Sequence, residues 1–185
     1  PEPLDFQPGW QERLRQAAVQ TTRLQSPTGS DYFIFPRSAY RDIPEFAIGR
    51  AGWDNWMMYH AVKQGWTVVD ATQAVLAIHQ NHDYSHLPGG KPHYGLEESQ
   101  LNVALAGGRQ NMYSVLEANR ILLSGRLKNP PLDRLRLVRK FEVAIWDGRQ
   151  RGWRWSAVRW ARRLRHKLLE TEQGKYGYAP GTEPR

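Results

Sequence analysis

The sequence predicts a mixed α/β fold with a basic helical appendage at its C-terminal end, and three observations predict it. Up to about position 130, apolar residues switch between helical spacing and short aromatic or β-branched runs. The chain has 185 residues, 40% of them hydrophobic, which is enough for a buried core. The charge is split: residues 1–130 carry twelve basic and twelve acidic side chains, residues 131–185 fourteen and six. Asn129-Pro130-Pro131 lies at that edge, and paired prolines stop a helix, so a domain boundary is expected near 130.

Each element follows from its own pattern. Trp10, Leu14, Ala17, Thr21 and Leu24 recur at helical spacing, and Ser26-Pro27-Thr28-Gly29 ends this first helix with turn chemistry. Tyr32-Phe33-Ile34-Phe35, closed by Pro36, reads as a buried strand. A second helix, Asp54 to Gln64, is marked by Trp53, Trp56, Met57 and Ala61, with Gly65 in the C-cap position. Thr67-Val68-Val69 and Ala74 to Ile78 are strand-like, and the second run leads into the polar stretch His79 to His86. Leu96 to Ala106 predicts a helix capped by Gly107-Gly108, whereas Val115 to Leu123 fits strand or helix. Two more helices are expected at 132–147 and 153–170. In the latter, Trp153, Ala157, Trp160, Ala161, Leu164 and Leu168 form one face, with Arg154, Arg159, Arg162, Arg163, Arg165 and Lys167 on the remainder. Residues 171–185 read as a frayed tail.

Composition limits the chemistry. Without cysteine there is no disulfide, thiolate zinc site, iron–sulfur cluster or cysteine nucleophile, so any metal must sit on His and carboxylates. No Walker or Rossmann glycine loop and no G-x-S-x-G elbow occurs, which disfavours nucleotide hydrolysis and serine-esterase chemistry. No run approaches the roughly 18 apolar residues that span a bilayer, and no signal-peptide pattern opens the chain. A cytoplasmic protein, peripheral to a membrane at most, is expected.

Three constellations remain. Gly49-Arg50-Ala51-Gly52-Trp53-Asp54-Asn55-Trp56 is a glycine-bearing turn opening onto a helix. Asp54 in the first turn suits a base that takes a proton from an attacking hydroxyl, and Trp53 and Trp56 could offer flat surfaces to a sugar ring. The competing reading makes Asp54 a helix cap and both tryptophans core residues. His79, His82 and His86 with Asp83 carry donors suited to Zn²⁺ or Mn²⁺, but the spacing matches no specific zinc motif, and His86 reads first as a loop histidine. The basic helix is either a solvated face or a surface for anionic lipid or nucleic-acid phosphate.

The order of motifs carries a resemblance. Gly29-Ser30-Asp31-Tyr32-Phe33-Ile34-Phe35-Pro36-Arg37, Ile43 to Arg50, Gly52-Trp53-Asp54-Asn55-Trp56, Val69-Asp70-Ala71-Thr72 and Ile78 to Tyr84 together resemble the C-terminal half of family 2-type glycosyltransferases of GT-A fold, over about residues 5–125. The resemblance implies a partial GT-A-like mixed sheet with flanking helices in residues 1–130, followed by the basic helical appendage of residues 131–185. It implies transfer of a sugar from a nucleotide-sugar donor to a carbohydrate or glycolipid acceptor, inverting, with Asp54 as general base. Asp31, Arg50, Trp53, Asn55 and Trp56 would contact the acceptor side, and His79 with His82 would hold a divalent Mn²⁺ or Mg²⁺. The family's Asp-x-Asp element has no counterpart, since Asp5 alone precedes the first helix. The chain is therefore expected to be the acceptor-side piece of a longer enzyme, inactive by itself. Two other readings use the same residues: a carbohydrate- or protein-binding module without turnover, and a metal-dependent hydrolase at His79, His82 and Asp83. An anionic membrane surface is the further partner expected for residues 153–168, and nucleic acid is not expected.

Overall fold

The computed structural model describes residues 6–21, 26–30, 32–78 and 95–172. Within them the content is mixed α/β, with five α-helices and one three-stranded sheet. In chain order the elements are α1 (Trp10–Thr21), α2 (Trp53–Lys63), β1 (Val69–Asp70), α3 (Glu97–Leu105), β2 (Arg120–Leu123), β3 (Arg126–Lys128), α4 (Arg134–Ile145) and α5 (Gly152–Glu172). Short 3-10 turns occupy Arg109–Asn111 and Val115–Glu117.

Helices α2 to α5 lie where the apolar spacing puts them, to within two residues at each end. Asp133 sets the start of α4 by accepting the Arg136 backbone N–H at 2.9 Å. Among the described residues no helix is long and apolar enough to cross a membrane.

The strands depart from expectation. Tyr32-Phe33-Ile34-Phe35 forms no strand and has no ladder partner among the described residues, and Ile34 is 96% exposed. Only Phe33 of the four turns inward, and Pro36 has no N–H to give a neighbouring strand. Ala74 to Ile78 opens in a turn in which the N–H groups of Ala74 and Val75 both reach Ala71 O, leaving Val75 and Ile78 exposed. The sheet forms further along. β1 pairs parallel with β2, setting Val69 opposite Arg120 and Asp70 opposite Ile121, and β2 turns back antiparallel onto β3. Ser124 and Gly125 make that turn with φ of 50° and 71°, the pair of positive values that a two-residue hairpin requires. The ambiguous run from Val115 thus divides into a 3-10 turn and a strand. At the head of the turn the Ser114 hydroxyl accepts the Leu116 N–H and the Glu117 carboxylate accepts the Ser114 N–H.

Two apolar clusters hold the chain. Phe46, Trp56, Met57 and Ala106 form the first, with Phe33, Tyr40, Trp53, Tyr59 and Met112 packed around it. The second joins Leu116, Leu135 and Leu169, so α4 and α5 close onto the Val115–Glu117 turn across the proline pair.

Charge is built into the second region. Glu142 on α4, only 1% exposed, accepts from Arg139 at 3.1 Å, Arg162 at 2.8 Å and Arg165 at 3.0 Å. Arg139 also pairs with Glu117 and donates to Met112 O, while Arg136 donates to Leu116 O and pairs with Asp70. Burial pushes the Glu142 carboxyl up, but Arg139, Arg165 and Arg162 outweigh it and hold the group below the usual carboxylate range. The same contacts divide the apolar face expected of α5. Its closed stripe is Val158, Ala161 and Leu169 with Arg162 and Arg165 turned inward, whereas Trp153 and Trp160 face outward. Two of the six cations on the remainder of α5, Arg162 and Arg165, are engaged by an acid twenty and twenty-three positions earlier, on the neighbouring helix.

Candidate functional site

The glycine-bearing turn is held from α3. Asn102 is completely buried; its Oδ1 accepts the Ala47 N–H at 2.8 Å, and its Nδ2 donates to Ala47 O at 3.0 Å and Ala51 O at 3.3 Å. One side chain thereby pins both ends of the segment that delivers α2. Gly52, the N-cap of α2, has φ of 108°, and a Cβ there would stand 3.1 Å from Met112 Cε. The backbone region favours glycine at this position, and a Cβ would also push on the end of the Met112 side chain.

Asp54 follows in the first turn of α2, half-buried beside the chain at Ser30. Burial pushes its carboxyl above the usual value, and hydrogen bonds from the backbone of Asn55, Asp54, Ser30 and Gly52 offset only part of this. A carboxylate raised in this way is a better proton acceptor near neutral pH than an exposed one.

The sign of this shift gives a stability expectation. A raised folded-state value means that folding favours the protonated carboxyl. The associated stability is fully present below the unfolded value and is lost as pH rises through the folded one. Asp54→Asn should therefore melt above the unsubstituted protein at neutral pH, with the gap closing in acid. A lower melting temperature at pH 7 would mean that the fold needs the carboxylate as a cap.

The other expected acceptor-side residues divide by environment. Trp53 is half-buried at the edge of the first cluster, its ring 5.8 Å from that of Phe33. Trp56 belongs to the core, with the rings of Phe46 and His60 at 5.2 and 4.8 Å. Asn55 holds three segments together, its Nδ2 donating to Tyr113 O at 2.7 Å and Thr28 O at 3.1 Å. Its backbone carbonyl accepts from the Tyr113 N–H. Arg50 pairs with Glu98 on α3. Asp31, His79, His82, Asp83 and His86 lie outside the described residues. Among the described residues no cluster of three His, Asp or Glu could hold a metal ion.

A cavity of about 190 Å³ lies away from Asp54, between Asp70, Ile121, Pro131, Asp133 and Arg136. Its charged groups are engaged with one another: Asp70 pairs with Arg136 and accepts the Thr72 N–H, and Asp133 caps α4. It reads as a packing gap beneath the proline pair.

No family model, curated protein or solved structure matches this chain.

Sequence reasoning passed over Asn102. Its signal is a lone amide within Leu101-Asn102-Val103-Ala104-Leu105, a polar side chain in an apolar helical run.

Proposed function

We propose that the chain is the acceptor-side part of an inverting glycosyltransferase of GT-A type, with Asp54 as its general base. The observation that supports this most is the Asp54 carboxyl, kept half-buried and raised at the head of α2 by a turn that Asn102 clamps. In the reaction an acceptor hydroxyl oxygen attacks the anomeric carbon from the face opposite the leaving group. The new C–O bond forms as the bond to the nucleoside diphosphate breaks, and that electron pair leaves with the phosphate. The hydroxyl proton passes to Asp54 Oδ, which lets the attacking oxygen carry less positive charge in the transition state. Trp53 and Phe33 supply the apolar edge against which the acceptor ring would lie. His79 and His82 would hold a divalent metal that neutralises the departing diphosphate.

The test is sugar transfer by the whole enzyme, offered a panel of nucleotide sugars, with nucleoside diphosphate release and the anomeric configuration of the product as readouts. One donor consumed with inversion is expected. Glycan binding without release from any donor would instead favour the binding-module reading.

A further inference from the structure

We infer that α4 and α5 together present a docking face for an anionic lipid bilayer. The inference is independent of the assignment at Asp54. Leu137 and Phe141, four residues apart, project from the same side of α4, and Trp153 and Trp160, seven apart, from the same side of α5. The rings of Phe141 and Trp160 meet edge-on at 6.5 Å and join the two rows there. Because α4 and α5 are antiparallel, with Leu135 packed on Leu169 and Glu142 paired with Arg162, Leu137 and Trp153 extend the ridge from that contact in opposite directions. All four side chains are exposed, Trp153 at 72% and Trp160 at 57%. They are not the side of α5 that closes the core, because Val158, Ala161 and Leu169 do that. The ridge is therefore apolar surface left over after folding.

Charge selects its partner. Between residues 132 and 170, eight Lys or Arg side chains are exposed against two acidic ones, with Lys140 beside Phe141 and Arg159 beside Trp160 in sequence and Arg163 one helical turn beyond Trp160. A second copy docked on this face would oppose cation to cation. A nucleic acid would satisfy the cations but leave Leu137 and Phe141 without an apolar partner. A headgroup layer takes both sets: the aromatic rings and Leu137 enter the acyl boundary, and the cations meet lipid phosphate. Because Arg162 and Arg165 are held by Glu142, the binding charge comes from the remaining, outward cations.

Co-sedimentation with vesicles tests this, comparing phosphatidylcholine alone with mixtures containing about one third phosphatidylglycerol. Binding to the mixed vesicles only, weakened by salt, is expected. Arg159→Gln and Arg163→Gln should each lower the affinity about fivefold, the effect of one cation near an anionic surface. Phe141→Ser with Trp160→Ser should lower it by about a hundredfold or more, as two exposed rings lose their burial. Unchanged far-ultraviolet circular dichroism would show that these surface variants fold. No binding at low salt, equal binding to neutral vesicles, or binding indifferent to the two rings would overturn the proposal. So would a concentration-dependent dimer abolished by the ring substitutions, or tighter binding to a single-stranded oligonucleotide that those substitutions leave intact.

Discussion

Glu142→Gln is expected to lower folding stability by about 3–5 kcal/mol, the usual result of removing one partner from a buried ionic cluster. The amide keeps the shape but leaves Arg139, Arg162 and Arg165 facing each other with only Glu117 to offset them. Against a typical total of about 5–15 kcal/mol, that loss would shift a denaturation midpoint plainly. Arg165→Met should cost much less, because Glu142 keeps two cations and the cluster comes closer to neutrality. The carboxyl is held below its ordinary value, so its stabilisation is present above the unfolded value and is lost as pH falls through the folded one. Acid unfolding of the unsubstituted protein should thus include a term that Glu142→Gln lacks. Equal denaturant midpoints for Glu142→Gln and the unsubstituted protein would show that the cluster contributes no net stability.

On the proposed glycosyltransferase role, Asp54→Asn in the full-length protein is expected to reduce sugar transfer by about 10² to 10⁴, the range that general base catalysis supplies. Size and most hydrogen bonding are retained, so donor affinity should change little. Opposite signs of effect, slower turnover with a higher melting temperature at neutral pH, are the signature of a carboxylate kept for chemistry at the expense of stability. Lower turnover accompanied by lower stability would instead mark Asp54 as a capping residue whose loss damages α2.

The helices were legible because each carries its own periodic stripe. Met57 and Ala61 of α2 recur on one side whatever packs there. The strands were not, because a short apolar run becomes a strand only if another chain segment offers a ladder. Tyr32 to Phe35 finds none among the described residues, whereas Arg120 to Leu123 gains Val69-Asp70 on one side and Arg126 to Lys128 on the other. The Ser124-Gly125 pair was the local hint of that hairpin.

The site shows the same division. Asp54 at a helix start could be read from the glycine-bearing turn, but its hydrogen bond from the Ser30 backbone, and the clamp of that turn by Asn102 far along the sequence, could not. On α5 the hydrophobic pattern grouped buried Ala161 with exposed Trp153 and Trp160 and left Arg162 and Arg165 on the remainder, since arginine counts as an outward residue until its acid is known. Glu142 stands alone among apolar and basic neighbours in Lys140-Phe141-Glu142-Val143, and nothing local to α5 announces it. A buried ion pair is a property of two helices together, and periodicity reads one at a time.

The pH dependence of kcat/KM for the proposed sugar transfer by the full-length protein bears most directly on the role of Asp54. With Asp54 as the base, activity should fall on the acid side through a single protonation whose midpoint is shifted up from that of an exposed aspartate, because burial raises this group. The residual activity of Asp54→Asn should lack that limb. An acid limb that persists unchanged in Asp54→Asn would contradict the assignment and move the proton acceptor to another residue.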